Sequence, residues 1–91
     1  MDPVTLIEEL KRMPMPKMKD VYVRHTFECW RDDAIGNPQK VMVHIFDAGP
    51  GAFPEMRYHC RAELEDGTYA MGNPAESPET ALAIVHWNDL G

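Results

Sequence analysis

Met56, Tyr58, Cys60, Ala62 and Leu64 alternate with Arg57, His59, Arg61 and Glu63. A period of two held over nine residues describes a β-strand with one apolar face and one solvated face. Two earlier segments extend the pattern. Val21, Val23, His25, Phe27 and Cys29 alternate with Tyr22, Arg24, Thr26 and Glu28, which reads as a second half-buried strand. Lys40 to Asp47 (KVMVHIFD) is nearly all apolar, as a central or doubly covered strand is. Turn-forming residues separate these runs. Arg31 to Pro38 (RDDAIGNP) reads as a hairpin loop, and Ala48 to Glu55 (AGPGAFPE) as a longer surface loop. Glu65-Asp66-Gly67-Thr68 supplies a tight reversal, after which Thr68 to Met71 continues as a short fourth strand.

Helix signals flank the strands. Asp2-Pro3 combines a capping carboxylate with a proline at the first helical position. Leu6, Ile7, Leu10 and Met13 then share one helical face, opposite Glu8, Glu9, Lys11 and Arg12. Pro14 and Pro16 end that helix, and MPMPKMKD forms a stiff connector. Ser77-Pro78-Glu79 opens a second helix whose apolar face is Ala81, Leu82, Ile84 and Val85. The order α-β-β-β-(β)-α predicts a two-layer α+β sandwich, an antiparallel sheet with both helices on one face. Leu6, Ile7, Leu10, Val21, Val23, Phe27, Val43, Ile45, Cys60, Ala62, Leu82 and Val85 are expected to be mostly buried.

Ninety-one residues make one domain, residues 1–91, with a core of modest size. With 44% hydrophobic and 26% charged residues the balance is that of a globular chain. Fifteen acidic residues against nine Lys and Arg give a net charge of −6, which argues against whole-surface attraction to nucleic acid. No apolar run approaches the ~20 residues that span a bilayer. The start MDPVTLIEELKR places acids where a secretion signal is apolar. The expectation is a cytoplasmic chain with no membrane partner, whose Cys29 and Cys60 are reduced, unmetallated core thiols.

The α-β-β-β-α order resembles the double-stranded-RNA-binding fold. That family reaches phosphates with a Lys-rich start to its last helix, where this chain has the acidic stretch Glu76-Ser77-Pro78-Glu79-Thr80, so binding in that mode is rejected. Tyr58-His59-Cys60-Arg61, Glu65-Asp66-Gly67, Ala70-Met71-Gly72 and Ser77 to Ile84 follow one another in a way that resembles small phage and prophage proteins with a sheet-and-helix sandwich. The same strand–turn–helix order resembles small antitoxin domains of the HicB type. The phage resemblance implies an accessory or inhibitor protein of unassigned chemistry.

Motifs of catalysis are missing: there is no GxSxG, P-loop, GxGxxG or HExxH. Gly49-Pro50-Gly51 lacks the following Lys and helix start that cradle phosphate. The four histidines pair with no nucleophile locally. No cofactor is called for. Strand parity divides the metal-ligating side chains, with His25, Cys29 and Cys60 on the inward face and His44 and His59 on the other. The outward face is more telling. Tyr22, Arg24, His44, Arg57, His59 and Arg61 fall there with Glu28 and Glu63, joined by Met42 or Phe46. Cations beside rings on a sheet can stack bases or hold anions, with binding that strengthens from pH 7.5 to 6 as histidines charge. Arg57 and Arg61 are expected to be surface residues whose removal leaves the fold intact. The function expected is non-catalytic binding or regulation through protein contact. The alternative is single-stranded nucleic-acid or small-anion binding on the open sheet face. A third reading is a small enzyme using His44 or His59.

Overall fold

The computed structural model describes residues 2–14 and 18–91. Helix α1 spans Pro3–Arg12, followed by strands β1 (Val23–Asp32), β2 (Pro38–Asp47), β3 (Tyr58–Leu64) and β4 (Tyr69–Met71), and helix α2 (Pro78–Ala83). Single 3₁₀ turns occupy Pro54–Met56 and Trp87–Leu90. The four strands form one antiparallel meander in the order β1-β2-β3-β4, with the two helices on one face. This is the α+β architecture expected from the sequence. Met1 and the expected connector residues Met15, Pro16 and Lys17 lie outside the described residues.

The caps behave as their chemistry dictates. Asp2 accepts a hydrogen bond from the Val4 amide at 3.0 Å, and Ser77 Oγ accepts from the Thr80 amide at 3.1 Å. Helix α1 ends at Met13, whose ψ of 123° already suits the residue before a proline. The β1–β2 hairpin is tighter than the residue types suggest. Arg31, Asp32, Pro38 and Gln39 belong to the strands, leaving only 33–37 as the loop. The Asp33 carboxylate organises that loop by accepting from the amides of Ile35 (3.0 Å) and Asn37 (2.9 Å).

Register fixes the two faces. Val41, Val43, Cys60, Ala62, Leu64 and Ala70 are buried on the helix side and form one core with Ala75, Ala81, Val85 and Leu90. Gly72 closes this packing: a Cβ there would lie 2.6 Å from the Ile84 carbonyl oxygen. The α2 C-terminal turn therefore rests directly on the chain leaving β4, and the His86 amide donates to Met71 O at 3.0 Å. Ile7 is buried apart from this core, against Gly49, where φ is +87° and a Cβ would sit 3.1 Å from Ile7 Cδ1.

Several expected core residues are not buried. Leu6, Leu10, Phe27 and Leu82 are exposed, and Val21, Val23 and Ile45 are only half-buried. Cys29 is an exposed thiol, unlike Cys60. One geometric reason covers β1. A helix is about 10–12 Å across and strands are ~4.8 Å apart, so one helix shields roughly two strands. Helix α2 lies over β3 and β2, and α1, anchored by Ile7, packs against β1. His25, Phe27 and Cys29 on the inward side of β1 nevertheless stay exposed. The radius of gyration, 15.3 Å, exceeds the about 12 Å expected for a compact chain of this length.

Candidate functional site

Two surfaces concentrate unusual side chains. On the outer sheet face the register lines up Arg24, Phe46 and His59 in one row. Thr26, His44, Arg61 and Met71 form the next row, and Glu28, Met42, Glu63 and Tyr69 the third. Phe46 and His59 stack at 4.5 Å with planes 7° apart, and Tyr22 meets His59 edge-on at 5.3 Å although it precedes β1. Burial under this stack pushes the His59 imidazole below its usual range.

His44 sits at the centre. Its Nε2 lies 2.8 Å from Glu63 Oε1 and its Nδ1 3.0 Å from Thr26 Oγ1. A ring that donates Nε2–H to the carboxylate leaves Nδ1 to accept the threonine proton. The His44 hydrogen bond, with the nearby Arg61 and Arg24 guanidiniums, outweighs desolvation and holds Glu63 below the usual carboxylate range. Hydroxyl, imidazole and carboxylate thus stand in the order of a hydrolytic triad. The β2 and β3 amides beneath are spent in the ladder, and Thr26 is open to solvent.

The charges of this face cancel. Lys40 lies 3.7 Å from Glu28 and 3.3 Å from Glu65, and Arg61 Nε is 3.5 Å from Glu63 Oε2. The Arg61 guanidinium also lies over the Tyr69 ring at 4.4 Å. Of the outer cations only Arg24 makes no ion pair among the described residues. Arg57, expected on this face, is elsewhere. It precedes β3, and its Nε and Nη2 donate to Asp47 at 2.8 and 3.1 Å. Asp47 is buried, which alone would raise its pKa; the Arg57 guanidinium and the Gly49 amide outweigh that and hold the carboxyl below its usual range. Arg57 is therefore a structural residue. Of the six expected site residues, Tyr22, Arg24, His44, His59 and Arg61 come together and Arg57 does not.

The second surface was not expected from the sequence. On the helix side, β1, β2, α2 and the final turn enclose an open groove of about 510 Å³. Phe27, Cys29, Val43, Ile45, Leu82 and Trp87 line it. Phe27 is 52% exposed and Trp87 37%. Exposed apolar patches of this kind occur at protein contact sites and at ligand grooves alike. Only the edge of the apolar pattern, Phe27 and Cys29 on the same side as Val23, hinted at it; the missing cover could not be read from residue types. Among the described residues no group of three His, Cys, Asp or Glu side chains is placed to hold a metal ion. No described helix is long and apolar enough to cross a membrane. No family model matches the chain, and neither a curated protein nor a solved structure is significantly similar to it.

Proposed function

We propose that this chain is a non-catalytic binding protein that works through protein contact, and that its contact surface is the exposed β1 side of the helix-bearing face. The observation that carries the reading is Phe27, half exposed beside an apolar groove that the chain's own helices leave open. Burying such a ring yields about 1.5–3 kcal/mol, enough for a few such anchors to hold a partner. A regulatory accessory role fits this picture, as the resemblance of residues 58–84 to small phage proteins implies.

The outer face offers less for binding anions, since its carboxylates offset its cations. The test compares protein capture by the parent, by Phe27→Lys and by Arg61→Ala. Both variants change exposed or half-exposed side chains, and circular dichroism checks their folding. A partner lost by Phe27→Lys and kept by Arg61→Ala supports the reading. A partner kept by Phe27→Lys and lost by Arg61→Ala overturns it in favour of the outer face.

A further inference from the structure

We infer that the protein self-associates by pairing β1 antiparallel with β1 of a second copy, about a two-fold axis at Thr26 that sets Arg24 of each copy opposite Glu28 of the other. The inference rests on the reading of a protein-contact surface at β1 and names its occupant.

Strand β1 is a sheet edge ten residues long, whereas the opposite edge, β4, has three. Its register with β2 runs unbroken from Val23 to Asp32, without a bulge, and the strand contains neither Pro nor Lys. Bulges, Pro and Lys are among the devices that protect an edge; the charges β1 does carry are Arg24, Glu28, Arg31 and Asp32. The hairpin closes with the Asp33 amide donating to Asn37 O. By the alternation of an antiparallel ladder, odd residues of β1 spend their backbone groups on β2. Arg24, Thr26, Glu28 and Trp30 then present theirs outward.

A second strand must therefore match even residues with even residues. An axis at Glu28 would set two carboxylates face to face. An axis at Phe27 would put Arg24 against Trp30 and Thr26 against Glu28, with no ion pair. The axis at Thr26 pairs Arg24 with Glu28 twice and opposes no like charges. Arg24 has no ion pair of its own among the described residues, and Glu28 has only Lys40, at 3.7 Å. On the helix side this register puts Val23 against Cys29 and His25 against Phe27. The exposed Phe27 ring of each copy is then covered at the joint, and the two grooves abut across it.

Sedimentation equilibrium on the full chain tests this with Arg24→Glu, Glu28→Arg and both together. Each single reversal turns two attractions into two repulsions and should weaken the dimer about tenfold. The double variant should recover to within about threefold of the parent. A cysteine probe reads the register. Val23→Cys should form a disulfide with Cys29 of the second copy under mild oxidation, since Cys60 is fully buried. A parent monomeric at all concentrations overturns the inference, as does a dimer the double variant fails to restore. Cross-linking by His25→Cys instead of Val23→Cys overturns the axis. The broader reading fails separately, only if Phe27→Lys retains every partner.

Discussion

Arg57 and Arg61 look alike in the sequence, two residues either side of His59, yet their surroundings differ. Arg57 neutralises a carboxylate that is 5% exposed, while Arg61 lies on a ring and beside a half-exposed Glu63. Removing Arg57 strands a buried charge, and Arg57→Ala should cost about 2–3 kcal/mol in urea unfolding. Arg61→Ala should cost under about 1 kcal/mol. Equal losses would show that the Asp47 pair is not the anchor described. His59 is held below its ordinary pKa by burial, so the unfolded chain takes up its proton first as pH falls. Stability tied to His59 is present above about pH 6.5 and declines below it. Melting temperature should therefore fall between pH 7.5 and 5.5, and His59→Gln should flatten that fall. The cysteines divide in the same way. Cys29 should react with a thiol reagent in the native monomer, and Cys60 only on unfolding, since burial also pushes its thiol pKa up.

At the scale of elements, the strands were legible because period two is a local signal, and the caps because Asp2-Pro3 and Ser77-Pro78 act within one turn. The strand ends at Arg31–Asp32 and Pro38–Gln39 were not. Those residues favour turns by themselves and are held in the ladder by cross-strand bonds, among them Arg31 Nε donating to Gln39 Oε1 at 2.9 Å. Both helices start where expected, but α2 stops at Ala83, before the Ile84 and Val85 expected on its face, and an apolar stripe does not say what it covers. Leu10 matches Ile7 in pattern and is 37% exposed where Ile7 is 1%. Ile7→Ala should accordingly cost about 2–5 kcal/mol and Leu10→Ala much less. Gly72 belongs to the same problem, a close approach of α2 that no composition signals. Gly72→Ala should destabilise by about 1–3 kcal/mol through overpacking, measured by denaturant titration against Gly36→Ala, whose site has open space but a strained φ of +88°.

The whole molecule follows from a mismatch of widths. A four-stranded sheet needs more cover than one six-residue helix gives, and α1 is anchored by Ile7 on Gly49. Parity in the sequence separated the two faces correctly, and it gathered five of the six outer-face residues. It also marked the outer face as the expected interaction surface, because cations stand out in an acidic chain; their pairing with Glu28, Glu63 and Glu65 emerges only from register. The inward side of β1 is where the fold leaves Phe27 and Cys29 exposed. Amide hydrogen exchange along β1, followed as protein concentration rises, reads that side directly. Self-pairing predicts that the outward amides of Arg24, Thr26 and Glu28 gain protection with concentration, while those of Phe27 and Cys29, already bonded to β2, change little. Exchange at the three outward amides that stays fast and independent of concentration would contradict it.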